Sequence, residues 1–186
     1  MKRILTIVML IASIGSFAQN VNLSDNQLSL NILPLTASYE RKIDQNKSFT
    51  FSGGIAPTAY AETGANGSNS YFFATPFLTS SVRNYYSRKN IKKSNLRNNS
   101  GNYVGLYYQH QFKPFGSTTN LLEQAARDQV TNVFAVGPVW GFERNYASGI
   151  HLGLSIGVGY SDGEFQKSGD VTFIGEFEFG FLLFSN

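Results

Sequence analysis

Residues 148–161, SGIHLGLSIGVGYS, decide the fold class of this chain. From 150 to 160 the even positions are apolar or aromatic, and the odd positions are small or polar. A repeat of two residues is that of a β-strand whose two faces differ. The stretch therefore predicts a long strand with one apolar face, formed by Ile150, Leu152, Leu154, Ile156, Val158 and Tyr160.

The same alternation occurs at residues 47–60, 70–87, 101–113, 129–144 and 170–184. Each segment has roughly ten residues or more, above the usual strand length of about 5–6. Stretches rich in Gly, Asn, Asp and Ser separate the segments and predict turns. Residues 118–129 alone hint at a short helix, within a long connection.

Composition narrows the class of protein. Charged residues make up 15% of the chain, against roughly 25% in an ordinary soluble domain. Aromatic residues also make up 15%, which excludes a disordered chain. The lack of cysteine excludes disulfides and thiolate metal sites. After residue 18 no apolar run approaches the ~20 residues of a membrane-spanning helix, and the length predicts one domain.

Residues 1–19, MKRILTIVMLIASIGSFAQ, have the form of a secretory signal peptide. Lys2 and Arg3 form its positive region, and an apolar stretch and small residues follow. We expect cleavage near the end of this range, which leaves residues 20–186 as the exported domain; a retained N-terminal anchor is the alternative. Loss of Lys2 and Arg3 lowers the net charge from +3 to +1. Export and this small charge argue against a nucleic-acid partner.

The second face of the strands indicates where the apolar face points. It carries Gly, Ser, Thr, Gln and Tyr, rather than the many charges of a solvent-facing sheet. That composition suits a crowded polar interior, so we expect the apolar face to contact lipid. Long strands that are apolar outside and polar inside, behind a signal peptide, are typical of outer-membrane barrels. The alternative is a secreted sandwich or lipocalin-like soluble barrel, whose apolar core would bind a small apolar ligand.

Length and parity predict eight strands. Sixteen strands of ~10 residues would use nearly the whole exported chain, which excludes a large porin. Because proline disrupts a strand ladder, we divide the region around Pro34 into strands near 26–33 and 35–42; one long strand bulged at Pro34 is the alternative. The predicted outer loops are 61–70, 114–129 and 161–169. The predicted periplasmic connections are 43–46, 145–148 and the unusually long 87–101.

Four stretches carry a family resemblance: SYERKI (38–43), VRNYYSRKNIKKSNLRNNSGNYVGL (82–106), FAVGPVWGFER (134–144) and LGLSIGVGY (152–160). With them the chain resembles the small outer-membrane β-barrel proteins of the Bacteroidota, which share the shape of the OmpA and OmpW barrels. The resemblance implies an all-β, eight-stranded antiparallel up-and-down transmembrane β-barrel in the cell outer membrane. It does not imply an activity. We expect a monomer whose partners are outer-membrane lipid and, during insertion, the barrel-assembly machinery. Such barrels commonly end in an aromatic residue that helps assembly, whereas Ser185 and Asn186 follow Phe184 here.

Polar side chains share the predicted inner face of the barrel. They are Glu40, Arg83, Tyr103, Tyr107, Gln109, Gln111, Glu143, Glu176 and Glu178. An eight-stranded barrel is just wide enough to be filled by its own side chains, and an unpaired buried charge is very costly. We predict a polar network that fills a closed barrel, in which Arg83 pairs with one or more of the glutamates. A gated ion path is the sharper alternative.

Two further groups of residues are predicted to lie near the membrane surfaces. A basic turn without acidic residues is formed by Arg88, Lys89, Lys92, Lys93 and Arg97. It either binds lipid phosphates or a periplasmic polyanion, at about 1 kcal/mol per charge, or is simply a solvated turn. The predicted interfacial aromatics, which anchor such barrels, are Tyr85, Tyr86, Trp140, Phe142 and Tyr160.

We do not expect an enzyme. His151 and Ser155 share a strand face but lie about 13 Å apart, beyond the ~3 Å hydrogen bond of a nucleophile and its base. Two separated histidines without cysteine form no metal site, and no cofactor is predicted. The predicted function is a structural, envelope or interaction role in the outer membrane. A narrow channel for small or hydrophobic solutes is the second hypothesis, and a lipid-modifying enzyme is the third.

Overall fold

The computed structural model describes residues 23–64, 67–87, 95–116, 120–163 and 170–186. Within them the chain forms eight strands: β1 (Asn26–Leu33), β2 (Leu35–Asp44), β3 (Lys47–Gly64), β4 (Gly67–Ser87), β5 (Gly101–Gln111), β6 (Val133–Asn145), β7 (Ile150–Gly163) and β8 (Asp170–Ser185). Helix α1 (Leu121–Gln129) lies between β5 and β6. Each strand pairs antiparallel with its neighbour in sequence, and β1 pairs with β8. The predicted eight-stranded up-and-down ring is confirmed. The predicted signal peptide lies outside the described residues.

The two ends of the barrel differ. Asn26 and Asn186 exchange backbone hydrogen bonds of 3.3 and 3.1 Å, so the first and last strands meet at one end. We call this the terminal end, and it also carries the turns at 45–46 and 146–149. The opposite end, which carries α1 and the tip of the β3–β4 hairpin, is called the loop end.

The two faces of the ring have opposite chemistry. Successive side chains of a strand point to opposite sides of the sheet. The inward side chains are polar on most strands, and the buried ones include Ser29, Asn31, Ser38, Thr50, Ser52, Thr79 and Ser81. The outward side chains are large and apolar, and the exposed ones include Leu30, Phe51, Val82, Leu106, Ile156, Val158, Phe173 and Leu183. The inner and outer faces are those predicted from the alternation.

The structure confirms one predicted connection between strands and contradicts another. The division at Pro34 is confirmed, because β1 ends at Leu33 and β2 begins at Leu35. The predicted loop 61–70 is wrong, because most of it belongs to β3 and β4. Its Gly, Asn and Ser residues are typical of a turn, but their backbones remain paired, up to Gly64 opposite Gly67. Backbone pairing across the two-stranded ribbon therefore continues through residue types that favour a turn.

Helix α1 covers part of the loop end. It begins after Asn120, whose side-chain oxygen accepts hydrogen bonds from the backbone N–H groups of Leu122 and Glu123 at 3.0 and 3.3 Å. Ala126 of α1 packs with Phe73 of β4 and with Val130 in a buried apolar cluster. The predicted short helix is therefore present and folds back over the barrel. No helix in the described part of the chain is long and apolar enough to cross a membrane.

Gly141 of β6 makes room for an inward aromatic ring. A methyl group at this position would meet the Tyr103 hydroxyl at 2.6 Å and the Leu154 carbonyl oxygen at 2.6 Å. We expect Gly141→Ala to lower the free energy of unfolding by about 1–3 kcal/mol, the usual range for overpacking. Urea unfolding of the barrel in detergent micelles measures this change.

Gly175→Ala is the matched control in β8. Its methyl group would meet the ring of Phe173 at 2.9 Å, and that side chain is exposed and can turn away. We expect little change in its unfolding midpoint. Equal losses for the two variants would show that Gly141 is not needed to accommodate Tyr103.

Candidate functional site

Arg83 is the centre of a buried polar cluster in the terminal half of the barrel. It projects inward from β4 and is 4% exposed. Its Nη1 lies 2.7 Å from Glu143 Oε2, and its Nε donates to Ser81 at 3.1 Å. Its guanidinium also lies 4.7 Å from the centre of the Tyr103 ring and 3.9 Å from the Glu178 carboxylate. The predicted pairing of Arg83 with glutamates is confirmed.

Glu143 of β6 receives hydrogen bonds from two other strands and from its own strand. Gln27 of β1 donates to Oε1 at 2.7 Å, and Tyr85 of β4 donates to Oε2 at 3.1 Å, beside Arg83. Asn145, two residues along β6, donates to Oε1 at 2.9 Å. Both carboxylate oxygens therefore have partners, which a buried charge requires.

Glu40 of β2 is linked to the same cluster through Tyr85. The Tyr85 hydroxyl donates to Glu40 Oε1 at 2.8 Å, and Ser48 donates to the same oxygen. The other oxygen accepts from Asn99 at 2.8 Å. Because Tyr85 contacts both Glu40 and Glu143, it joins the two carboxylates that lie on opposite sides of the ring.

Glu178 of β8 completes the cluster. Asn31 and Ser38 donate to its Oε1 at 3.1 and 2.9 Å, and His151 Nε2 lies 3.7 Å from Oε2. The other ring nitrogen of His151 is 2.7 Å from the Asn145 side-chain oxygen. Three carboxylates therefore share one guanidinium, one imidazole and a shell of neutral donors.

The cluster leaves almost no free space. The gap between Arg83, Glu40, Glu143, His151 and Glu178 has a volume of about 10 Å³. A water molecule needs a cavity volume of roughly 10–15 Å³. The terminal half of the barrel is therefore filled by side chains. We call these residues, with Tyr85, Tyr103 and Asn145, the polar plug.

The last residues of the long 87–101 connection cover the polar plug at the terminal end of the barrel. Asn99 is fully buried, and its side-chain oxygen accepts from the Ser24 backbone N–H at 2.7 Å while its amide contacts Glu40. Ser100 contacts the backbone N–H of Asn145 at 2.9 Å. Asn99 and Ser100 are therefore part of the barrel interior.

The basic turn lies mostly outside the described residues, which include neither Arg88, Lys89, Lys92 nor Lys93. Arg97 is described and is exposed. Its side chain donates to the Ala147 carbonyl at 2.8 Å. Its backbone N–H donates to the Asn145 carbonyl at 2.6 Å. Arg97 thus ties the connection to the β6–β7 turn.

Four predicted interior residues lie above the plug, toward the loop end. Tyr107, Gln109, Gln111 and Glu176 face inward from β5 and β8 and line a separate cavity of about 420 Å³. The predicted interior residues did not include Asn145 of the plug or the donors Gln27 and Asn31, and the sequence analysis gave no partner to His151. Their positions in the inward alternation are the signal that could have identified them.

The predicted interfacial aromatics divide into two groups. Trp140 donates to the Tyr86 hydroxyl at 2.6 Å on the outer face, where Phe142 and Tyr160 also lie. The prediction for Tyr85 is wrong, because this residue is fully buried inside the barrel. Its position in β4 is inward, and the carboxylates of Glu40 and Glu143 accept from its hydroxyl.

No group of three or more His, Cys, Asp or Glu side chains in the described ranges is arranged to hold a metal ion. Comparisons with protein-family models, curated proteins and solved structures give no match for this chain. The resemblance to the Bacteroidota barrels therefore stays a prediction.

Removal of Arg83 tests the plug. We expect Arg83→Ala to lower the free energy of unfolding by about 3–5 kcal/mol, because Glu143 keeps a buried charge without its partner. The urea midpoint of the folded barrel is the measurement. In the double variant Arg83→Met with Glu143→Gln, part of the loss should be recovered, since the unpaired charge is gone.

Lys47→Ala is the control. Lys47 pairs with Asp44 at 3.9 Å, and both side chains are more than half exposed. Exposed pairs contribute about 0–1 kcal/mol, so the midpoint should hardly move. A loss for Arg83→Ala as small as that for Lys47→Ala would contradict the central role of Arg83.

Proposed function

We propose that this protein is a closed, membrane-spanning β-barrel of the outer membrane with a structural and interaction role and no catalysis. The observation that carries the proposal is the inverted distribution of side chains. Val171 and Phe173 are 87% and 71% exposed on the outer face, whereas Glu143 is 1% exposed inside. In water the outer face would be unfavourable, because contiguous exposed apolar surface is rare in soluble monomers. In lipid the same outer face is in its preferred solvent.

The closed ring supports the same proposal. Every unpaired backbone group in hydrocarbon costs several kcal/mol, so a sheet can cross a bilayer only where its edges are paired. Pairing of β1 with β8 supplies this closure around the polar plug. The lipocalin-like alternative needs an apolar interior, and the terminal half of this barrel holds three carboxylates instead.

The plug favours a structural role over a channel. A solute that crossed the barrel would have to displace Arg83 and its partners, which leave a gap of only about 10 Å³. We therefore favour a barrel that does not conduct. The β3–β4 hairpin suits an interaction role, because β4 has 21 residues and a tilted strand spans the bilayer with about 9–11. Its tip would project well beyond the membrane.

Trp140 is the only tryptophan of the chain and lies on the outer face, so it reports directly on lipid contact. We expect lipids brominated on their acyl chains to quench its fluorescence strongly after the barrel is folded into vesicles. Aqueous iodide should have little effect on it. Heated and unheated samples on a gel verify that the barrel is folded.

The control carries Trp140→Phe and Leu121→Trp. Leu121 lies on α1 at the loop end and is 85% exposed. Its tryptophan should be quenched by iodide and hardly at all by brominated lipid. Quenching of Trp140 by iodide but not by brominated lipid would overturn the membrane proposal in favour of a soluble barrel.

A further inference from the structure

On one side the barrel wall ends early on the way to the loop end, because the β1–β2 hairpin is shorter than the strands beside it. Its tip pairs with Phe179 of β8 and Ile55 of β3. Both of these strands continue toward the loop end, over residues 56–64 and 170–178. No backbone pairing joins those two segments in the described part of the chain. The wall therefore has a side opening about 14 Å across, or three strand spacings.

A cavity of about 420 Å³ leads from this side opening into the barrel. Ala56 and Pro57 line it from β3, and Gly175, Glu176 and Phe177 line it from β8. Its far wall is formed by inward residues of β4 and β5, namely Thr75, Phe77, Tyr107, Gln109 and Gln111. The volume lies within the roughly 300–1,000 Å³ of ligand pockets.

The cavity changes from apolar to polar with depth. At the mouth, the side chains of Leu33 and Phe177 are 59% and 48% exposed. Inside, the amides of Gln109 and Gln111 and the carboxylate of Glu176 face the cavity. This order fits a molecule whose apolar part stays outside while its polar part enters.

Glu176 is the acidic residue of the cavity lining. The Tyr107 hydroxyl beside it donates to Gln109 at 3.3 Å, and within the described ranges no Lys, Arg or His forms an ion pair with Glu176. Arg83 of the plug is committed to Glu143 at 2.7 Å. A cation that enters the cavity favours the ionised form of the Glu176 carboxyl group, whereas an anion disfavours it.

The cavity is narrowed above and below. The polar plug fills the barrel on the terminal side, and Phe73 packs with Ala126 and Val130 on the loop side. Phe73 is the next inward residue of β4 after Thr75 in the direction of the loop end. The cluster of Phe73, Ala126 and Val130 therefore lies directly over the cavity. The side opening thus gives a ligand a route from the surrounding lipid.

We propose that the side opening binds the head group of a single-chain cationic amphiphile, of the alkylamine class. The ammonium group lies against Glu176, and the chain remains in the lipid beside Leu33 and Phe177. The proposal rests on the membrane location proposed above.

The test uses the full exported chain in phosphatidylcholine nanodiscs, with octylamine as the probe. Octanoate and octanol are the comparison probes. Nuclear magnetic resonance follows the side-chain amides of Gln109 and Gln111, which lie inside the cavity. We expect saturable shifts with octylamine, and weak shifts that do not saturate with octanoate.

Two variants and one control locate the site. Glu176→Gln keeps the shape of the side chain and should weaken octylamine binding about tenfold or more, since a charge-assisted contact is lost. Ala56→Phe fills the mouth and should abolish the saturable shifts. Ala74→Phe places the same ring on the outer face of β4, opposite Pro57, and should bind like the unmodified protein.

Three results would overturn the proposal: shifts that do not saturate with octylamine, equal binding of octanoate, or unchanged affinity in Glu176→Gln. Quenching of Trp140 by brominated lipid is measured on the same preparations. If Trp140 is quenched and octylamine does not bind, the ligand proposal fails while the membrane proposal stands. If Trp140 is not quenched, the membrane proposal fails first.

Discussion

The pairing of Arg83 with buried carboxylates is the interaction on which the rest of this barrel depends. Glu40, Glu143 and Glu178 come from β2, β6 and β8, and each would be strongly unfavourable inside the ring without positive charge nearby. Arg83 supplies that charge from β4, and neutral donors occupy the remaining carboxylate oxygens. A barrel of eight strands is narrow enough for these contacts to span its interior. The plug is thus both the core of the fold and the reason that its terminal half is closed.

Much of this fold could be predicted from the alternation of residue types. Period two indicates which residues face inward, so Arg83 and the glutamates follow directly from position. The same rule identifies Tyr85 as inward, and the error arose where a general preference of aromatic residues for membrane surfaces outweighed it. The tip of the β3–β4 hairpin was missed for a related reason. Turn-forming residues indicate local backbone preference, whereas pairing across the ribbon decides whether a strand continues.

The side opening could not be predicted from the sequence, because it depends on register. The alternation places Glu176, Gln109 and Gln111 on the inner face, and they were expected to belong to one network with Arg83. Their separation follows from where the β1–β2 hairpin stops relative to β3 and β8. The position of the hairpin tip along β3 and β8 is fixed by the residue pairs that the strands form. Neither the alternation of residue types nor the turn at Pro34 encodes this register. Asn99 and Ser100 are similar, since only their contacts with Glu40 and Asn145 show that they enter the barrel.

Closure of the ring by β1 and β8 has a consequence for the order of folding. The hydrogen bond from Asn31 to Glu178 joins residues 147 positions apart, and that from Gln27 to Glu143 joins residues 116 apart. Contacts of such long range form late, because the loop entropy must be lost before they contribute. Neighbouring hairpins can assemble while the carboxylates remain solvated. Desolvation of the charges and closure of the seam are therefore one coupled final step, and a chain arrested before it would still hold its interior open to water.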